Sequence, residues 1–385
     1  MKQGWEIKKL GEVCEIQGGS TPKRTENSFW DNGTYPWFTI EDIREQGHII
    51  SDTKQKITKI AWDKMRIFPK DTILLCCTAS LGEYAMTQIP LSSNQQFNGL
   101  MIKDKNYLCP MYLMHYCATL KNTLLSLSGK ATIDFVSVEK VRQIPIPVPP
   151  REEQDRIVAE LDCLSGVIEK KKQQLNELDA LAQSIFYTMF GNPITNEKGW
   201  EVKKLGEVGK VITGNTPSTK DEENYSSNDY CFVKPSDIGK DYVTKIENTE
   251  FYISEKAFSQ SRRLSKGSVL TTCIGIIGKV GILKVDATCN QQINAILPDE
   301  NSISEYVAWA IYLTRSVLEN IANAPVVPII NKGEFSNILI PLPPKVLQQE
   351  FADKIEAIEK QKELIKKSIS ETEALFNARM DYYFN

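Results

Sequence analysis

The sequence repeats itself at long range, and this duplication constrains the fold more than any other feature. The decapeptide Gly-Trp-Glu-Ile-Lys-Lys-Leu-Gly-Glu-Val at residues 4–13 returns at residues 199–208 with one change, Ile to Val. Three shorter motifs also recur: Thr-Pro at 21–22 and 216–217, Asn-Gln-Gln at 94–96 and 290–292, and a Pro-Pro motif at 147–150 and 341–344. The offset stays between 194 and 196 residues, a drift that small loop insertions explain. This period far exceeds that of a solenoid repeat, so the chain is a tandem duplication of one complete unit.

Each copy has two parts of different character. The first part, residues 1–150 or 191–344, mixes short apolar runs with Gly, Pro, Asn and Ser turns, of which 72–77 and 268–273 predict buried strands. Within the same part, residues 111–126 and 304–322 predict helices. The second part, residues 151–190 or 345–385, predicts a long helix that begins directly after a Pro-Pro pair. The predicted fold class is α+β, with a tandem duplication of a globular mixed α/β domain plus a long helix.

The two predicted long helices carry apolar residues at a period of 3.5. The first stripe runs from Ile157 to Met189 with Lys171 as its polar member, and the equivalent stripe from Phe351 to Tyr383 includes Lys362. A stripe of four to five heptads calls for a partner helix, and each long helix is the expected partner of the other in a coiled coil. The alternative, each helix packed on its own domain, usually needs a wider apolar face. A lone polar residue in such a stripe can fix the register; alternatively, both lysines extend to solvent.

Composition and motifs favour a binding protein over an enzyme. With 46 Lys and Arg against 49 Asp and Glu, any nucleic-acid surface has to be local or shared with partners. Two histidines and nine cysteines without a C-x-x-C pair match no usual metal site, and the glycines at 275 and 278 lack the spacing of a P-loop. We therefore expect no catalytic residue, no cofactor and no metal. Scattered thiols and the lack of a signal peptide or a long apolar run predict a cytoplasmic protein with no membrane contact.

Equivalent loops in the two copies are candidates for nucleic-acid binding. Residues 17–24 and 213–220 are rich in backbone N–H and hydroxyl groups and end in basic residues, which suits phosphate contacts; the alternative is an ordinary polar turn. The Asn-Gln-Gln triplets can read adenine or, as we favour, close a turn by hydrogen bonds to the backbone. Basic clusters at 64–70 and 262–266 are either phosphate contacts or a solvated face. The long helices carry 12 basic and 16 acidic residues, so a DNA surface belongs on the globular parts.

Together these motifs resemble the specificity subunit of type I restriction-modification systems. The resemblance rests on the duplicated opening decapeptide, on the Gly-x-x-Thr-Pro or Gly-x-Thr-Pro that follows it, and on the run Ile-Pro-Ile-Pro-Val-Pro-Pro-Arg-Glu-Glu-Gln at 144–154 before the heptad helix. The second copy of that run departs from the pattern, because Leu347 stands where the first copy has Glu. The resemblance covers the whole chain.

The resemblance implies two target-recognition domains, residues 1–150 and 191–344, and two helical spacers, residues 151–190 and 345–385. Each domain is then expected to read one half of a split, asymmetric target in double-stranded DNA. The spacers are expected to form an antiparallel coiled coil that sets the gap and docks the methyltransferase subunits. The expected partners are two methyltransferase subunits and two motor-nuclease subunits, which would supply the S-adenosylmethionine and ATP chemistry. The competing hypotheses are a methyltransferase or nuclease that acts alone, and a coiled-coil scaffold with no DNA role.

The duplication also limits where base recognition can lie. Residues shared by both copies cannot encode two different half-sites, so the Thr-Pro and Asn-Gln-Gln motifs are assigned to scaffold or DNA-backbone contacts, and base recognition is expected at positions that differ. The predicted DNA-binding residues are Ser20, Thr21, Lys23, Arg24, Arg44 and Lys130 in the first domain, and Asn215, Thr216, Lys220, Lys240, Arg262 and Arg263 in the second. Of these, the candidates for base recognition are Lys23, Arg24, Arg44, Lys130, Lys220, Lys240, Arg262 and Arg263.

Overall fold

A computed structural model of the chain describes residues 4–128, 134–240, 242–322 and 328–384. The chain divides into two compact units, residues 1–170 with 368–385 and residues 171–367. Each unit therefore holds a globular domain, the beginning of one long helix and the end of the other. Within the described ranges, no helix is long and apolar enough to cross a membrane.

The first globular domain is built on three small sheets. Its strands are β1 (Glu6–Lys9), β2 (Cys14–Gly18), β3 (Tyr35–Phe38), β4 (Ile49–Ile50), β5 (Gln55–Ile57), β6 (Ile73–Cys76), β7 (Tyr84–Thr87), β8 (Ser92–Ser93), β9 (Phe97–Ile102) and β10 (Pro145–Val148). A five-stranded sheet has the order β2-β9-β6-β7-β4, a three-stranded sheet has the order β5-β3-β8, and β1 pairs with β10.

Short helices cover the sheets of the first domain, and the chain then enters a long helix. The helices are α1 (Leu10–Val13), α2 (Ile40–Gln46), α3 (Lys59–Trp62), α4 (Pro110–Ala118), α5 (Lys121–Leu127), α6 (Val138–Arg142) and the long α7 (Arg151–Phe190). The helix α4 lies against the five-stranded sheet and contributes buried residues to the main core of the unit.

The second domain repeats this topology strand for strand. Its strands are β11 (Val202–Lys204), β12 (Gly209–Thr213), β13 (Tyr230–Val233), β14 (Thr244–Ile246), β15 (Tyr252–Ile253), β16 (Val269–Thr272), β17 (Val280–Leu283), β18 (Ala287–Cys289), β19 (Ile293–Pro298) and β20 (Leu339–Pro341). They form sheets of order β12-β19-β16-β17-β14, β15-β13-β18 and β11-β20. The helices are α8 (Leu205–Val208), α9 (Glu255–Gln260), α10 (Ser304–Leu313), α11 (Arg315–Ile321), α12 (Lys332–Ser336) and the long α13 (Lys345–Phe384).

The predicted buried strands are confirmed, whereas each predicted domain helix is two helices. Every residue of β6 and β16 is buried. The helical segments break at Thr119 and at Thr314, where α4 and α10 end. The Thr119 hydroxyl donates to the carbonyl of Tyr116 at 2.8 Å, and the Thr314 hydroxyl donates to the carbonyl of Ala310 at 3.0 Å. Hydroxyl groups compete in this way with helical backbone bonds, and the apolar pattern alone did not reveal the break.

One buried glutamine joins the start of each long helix to its domain. Gln154 is fully buried; its Oε1 accepts from the backbone N of Cys109 at 2.8 Å, and its Nε2 donates to the carbonyls of Tyr107 at 2.8 Å and Pro149 at 2.9 Å. Gln348 repeats the arrangement with the backbone N of Ile303 at 2.9 Å. The glutamine therefore anchors the Pro-Pro-x-x-x-Gln motif to the domain, and the departure at Leu347 leaves these hydrogen bonds intact.

The end of each long helix enters the core of the domain in its unit. In the first unit, the Phe384 ring lies 5.2 Å from the ring of Tyr112, whose hydroxyl donates to the carbonyl of Pro147 at 2.8 Å. In the second unit, the Phe190 ring lies 4.8 Å from that of Tyr306. Phe384 and Phe190 are equivalent residues of the two copies, so each core is completed by the helix end of the other copy.

The beginning of one long helix packs against the end of the other within each unit, so the pairing is antiparallel. In the first unit, Glu160 accepts from the Tyr383 hydroxyl at 2.7 Å and from Arg379 Nε at 2.7 Å. In the second unit, Phe186 and Phe190 pack on Phe351. The apolar stripe thus serves both the helix pair and the domain cores. The domain limits 1–150, 151–190, 191–344 and 345–385 stay a prediction, since the units cut each long helix in two.

Lys362 forms a buried ion pair in the second unit. The residue is 5% exposed, and its Nζ lies 2.7 Å from Asp179 Oδ1 and 3.0 Å from Glu359 Oε1. Burial opposes the charge, but hydrogen bonds with both carboxylates outweigh it and raise the pKa of Lys362. Extension to solvent is therefore wrong for Lys362. Its equivalent in the first unit is Ile168, a buried apolar residue, and Lys171 is half-buried.

Candidate DNA interface

The loop that follows the first strand of each five-stranded sheet is held against a turn of the same domain. After β2, the backbone N of Gly19 donates to the carbonyl of Phe97 at 2.8 Å and that of Ser20 donates to the carbonyl of Ser93 at 2.8 Å. A Cβ on Gly19 would overlap the carbonyl oxygen of Asn94. Glycine is required here because the two backbones approach so closely. Gly214, after β12, meets the equivalent restriction from Asn290.

The Asn-Gln-Gln triplets form these turns. In the first domain, Asn94 Nδ2 donates to Gln96 Oε1 at 2.9 Å, and the backbone N of Gln96 donates to Asn94 Oδ1 at 3.0 Å. The corresponding distances for Asn290 and Gln292 are 2.8 and 3.1 Å. The outer two residues of each triplet therefore close the turn, as favoured from the sequence. The middle glutamine points away from this pair and is exposed.

An arginine fixes the carbonyl at the end of the same strand in each domain. Arg66 Nη1 donates to the carbonyl of Gly18, and Arg262 Nη1 donates to the carbonyl of Thr213 at 2.9 Å. The two arginines are equivalent at offset 196. The sequence predicts Arg262 as a position that differs between the copies, but Arg66 is its counterpart. The arginine therefore belongs to the shared frame, by which we mean the loop after β2 or β12, the Asn-Gln-Gln turn that holds it and this arginine. The Asn215 side chain also accepts from the backbone N of Arg262 at 2.9 Å.

In the first unit, Arg24 lies on a cluster of aromatic rings. Its guanidinium carbon is 4.0 Å from the ring centroid of Trp30 and 4.7 Å from that of Trp37, and its Nη2 donates to Gln55 Oε1 at 3.0 Å. Stacking on two indoles and one hydrogen bond hold this cation in one orientation at the surface. Ser20, Thr21, Lys23 and Arg24 therefore share one ordered loop. Arg44 is exposed on α2, and Lys130 lies outside the described residues.

The corresponding loop of the second unit is held by ion pairs. Lys256 Nζ lies 3.0 Å from Asp221 Oδ2 and 2.5 Å from Glu223 Oε2. Lys220 is exposed beside this acidic stretch, and the Arg263 guanidinium lies 5.3 Å from the ring centroid of Phe258. Lys240 is exposed on a separate segment after β13. The shared frame thus carries different chemistry in each domain: a guanidinium on indole rings in one, and a lysine bound by two acids in the other.

An aspartate held by backbone N–H groups is a further feature shared by the domains: Asp42 is fully buried and its equivalent Asp237 is half-buried. Asp42 accepts from the backbone N of Thr39 at 2.7 Å and of Lys54 at 2.7 Å. Burial raises the pKa of the Asp42 carboxyl, against the effect of these hydrogen bonds. Asp237 accepts equivalent bonds from Lys234 and Glu250. Each aspartate thus links two segments of its domain: Asp42 joins Thr39 to Lys54, and Asp237 joins Lys234 to Glu250.

Over the described ranges, no group of three His, Cys, Asp or Glu residues could hold a metal ion. Burial raises the pKa of Cys14 and Cys77 to about 12, and it raises the pKa of Cys273 and Cys289 to about 12. Such thiols are protonated and unreactive at neutral pH.

Comparisons with known proteins agree with the duplicated architecture. A sequence model of the family described as "Type I restriction modification DNA specificity domain" matches residues 2–180 and 197–374. The two matches correspond to the two copies of the repeat and together span most of the chain.

Individual relatives carry the same description. The chain is 28% identical to the type I restriction enzyme MjaIX specificity subunit of Methanocaldococcus jannaschii, over 90% of this chain and 85% of that protein. It is 32% identical to the type I restriction enzyme EcoprrI specificity subunit of Escherichia coli, over 53% of this chain and 54% of that protein.

Solved structures share the fold. A chain solved for the assembly and conformational transition of the type I R-M system superposes with a TM-score of 0.67 at 20% identity, covering 100% of this chain and 98% of that chain. The S subunit of a type I restriction-modification system from M. genitalium gives a TM-score of 0.56 at 13% identity, covering 99% and 96%.

Proposed function

The chain belongs to the family of type I restriction-modification specificity subunits, as a non-catalytic subunit with two tandem recognition domains, and from this we propose that each domain binds one half of a bipartite, asymmetric target in double-stranded DNA. The observation that carries the proposal is one loop frame, repeated in both domains, that presents different residues. The frame positions each loop, and the differing residues give each domain its own sequence preference.

The candidate residues divide between these two roles. Thr21, Thr216 and Arg262 have identical counterparts in the other copy, and Ser20 and Asn215 differ but have equivalent backbone hydrogen bonds. These five residues belong to the shared frame and would contact the DNA backbone. The remaining candidates differ between the copies and would recognise bases: Lys23, Arg24, Arg44, Lys130, Lys220, Lys240 and Arg263. Arg24 is the strongest of these, because a guanidinium held in one orientation loses little freedom when it binds guanine in the major groove.

The paired long helices would set the gap between the half-sites and dock the partner subunits. Their excess of acidic residues makes them unsuited to DNA. In the second unit, an apolar groove of about 590 Å³ opens between the two helices and is lined by residues that include Leu181, Ile185 and Ile358. An apolar groove on an otherwise polar helix pair suits a partner protein. The proposed partners are two methyltransferase subunits and two motor-nuclease subunits in the cytoplasm.

Reconstitution tests this function. The purified chain alone should neither methylate nor cut DNA, whereas the chain with methyltransferase subunits should methylate adenine within one split motif. Native mass spectrometry should give one specificity chain with two methyltransferases. Methylation by the isolated chain, or a complex limited to one methyltransferase, would contradict the proposal.

A further inference from the structure

We infer that Gln95 and Gln291 are a matched pair of DNA-backbone contacts, one in each recognition domain. The sequence assigns their Asn-Gln-Gln motif to scaffold or DNA-backbone contacts without naming either glutamine as a DNA contact. The inference rests on the proposed function and adds to it two residues whose task is affinity for any DNA sequence.

In the first domain, the threonine of the Thr-Pro motif fixes the side-chain amide of Gln95. The Thr21 hydroxyl donates to Gln95 Oε1, while the backbone of Gln95 is fixed by the turn that Asn94 and Gln96 close. Gln95 is exposed. Among the described residues, none accepts a hydrogen bond from Gln95 Nε2. The amide therefore offers two N–H donors to solvent in an orientation fixed at its oxygen.

The second domain reproduces this arrangement with different neighbours. The Thr216 hydroxyl donates to Gln291 Oε1 at 2.6 Å, and Gln291 is exposed. The turn is again closed by the flanking Asn290 and Gln292. No acceptor for Gln291 Nε2 lies within the parts of the chain that the structure describes. Repetition of this geometry in two domains whose loops otherwise differ indicates a task common to both half-sites.

The engaged oxygen distinguishes a phosphate contact from a base contact. A glutamine that reads adenine uses Oε1 as acceptor and Nε2 as donor together. Here Oε1 already accepts one hydrogen bond from threonine, whereas both N–H groups of Nε2 are unpaired among the described residues. The side chain therefore offers mainly donors, and a phosphate offers only acceptors. The neighbouring guanidinium of Arg66 or Arg262 adds positive potential at the end of the same loop. Because the residue is the same in both domains, it cannot distinguish two different half-sites.

Substitutions at the two glutamines test the assignment in the full complex with methyltransferase subunits. DNA affinity is measured by fluorescence anisotropy, on the cognate duplex and on a scrambled duplex, across a salt series. Gln95→Ala or Gln291→Ala should weaken binding to both duplexes about tenfold. The double variant should weaken it about a hundredfold. Gln88→Ala is the matched control. Gln88 is exposed and directly follows Thr87, at the end of β7 that lies away from the candidate loop, so its replacement should leave the DNA affinity unchanged.

Charge at the same position sharpens the test. Gln95→Lys should keep or raise the DNA affinity. It should also steepen the slope of log binding constant against log salt concentration by about 0.9. Gln95→Glu should bind DNA more weakly than Gln95→Ala. Thr21→Val should lose part of the affinity, and Thr21→Ser should keep it.

The outcomes separate this inference from the proposed function. Alanine variants that bind both duplexes like the unaltered chain would overturn the inference, and so would variants that methylate a different motif, since the glutamines would then read bases. An unaltered complex that shows no preference for the cognate duplex would overturn the proposed function itself, and the inference with it. Equal melting temperatures of all variants exclude misfolding as the cause of weaker binding.

Discussion

Replacing Gln154 with alanine should destabilise the first unit by an amount that the structure lets us calculate. The change removes three hydrogen bonds of 2.8–2.9 Å in a fully buried site. Each contributes about 1 kcal/mol, and leaving the buried N–H of Cys109 unpaired adds at least about 1 kcal/mol. The sum is about 4 kcal/mol. For a unit of this size, that lowers the melting temperature by about 10 °C.

Three further variants make the test specific. Gln348→Ala should cause a similar loss in the second unit, whereas Gln349→Ala, beside it on the exposed face, should cost almost nothing. Gln154→Glu places a carboxylate against the carbonyls of Tyr107 and Pro149. Burial should raise the pKa of that glutamate in the folded state, so its penalty is full at neutral pH and is relieved as the pH falls through the raised value.

Calorimetry measures the melting temperatures, and hydrogen exchange locates the loss. Amides of α4 should exchange faster in Gln154→Ala, and amides of α10 faster in Gln348→Ala. A melting temperature of Gln154→Ala within about 2 °C of the unaltered chain would refute the role of this glutamine as the joint between helix and domain.

Other predictions address the helices. Lys362→Leu should lower the free energy of unfolding by about 2 kcal/mol in chemical denaturation, because Asp179 and Glu359 lose their cation. Adding Asp179→Asn and Glu359→Gln should restore most of this loss. Stabilisation by Lys362→Leu alone would contradict the role of the ion pair. Deleting residues 376–385 removes Met380 and Phe384 from the core of the first unit and should lower the stability of that unit by several kcal/mol. Hydrogen exchange should then be faster for the backbone amides of α4 but not for those of α10. Inserting one heptad after Lys172 and one after Lys366 lengthens each helix by about 10 Å and should widen the methylated motif by two to three base pairs at about 3.4 Å each; an unchanged gap would refute the spacer role.

Much of the fold could be predicted because the duplication and the apolar periodicity are visible in the amino-acid sequence. The starts of α7 and α13 follow the Pro-Pro pairs, and the buried strands β6 and β16 stand out as apolar runs. Which core receives a helix end could not be predicted. Phe190 and Phe384 lie one residue beyond the ends of the apolar stripes, and no pattern states that each completes the domain core within its unit. Lys362 is similar: its position in the stripe was evident, whereas its acidic partners depend on the pairing of the helices.

In the candidate site, the sequence reveals the shared motifs but not the contacts that hold the side chains. The repeated Thr-Pro and Asn-Gln-Gln motifs mark the loop frame, and the equivalence of Arg66 and Arg262 is visible at offset 196. The engagement of Gln95 Oε1 by Thr21 was hidden, because composition does not state which atom of an amide is already bonded. The stacking of Arg24 on Trp30 and Trp37 was hidden for the same reason, since the three residues are brought together only by the fold.

The central claim is that the two domains read separate halves of one target, and a domain exchange tests it most directly. Residues 14–102 would be replaced by their equivalents, residues 209–298, in cells that also carry the methyltransferase. The methylated motif is then mapped by sequencing that detects modified adenine. The account predicts that the unaltered chain gives two different half-sites around an unspecified gap, and that the exchanged chain gives two copies of the second half-site. A continuous motif in the unaltered chain, or a motif that the exchange leaves unchanged, would contradict it.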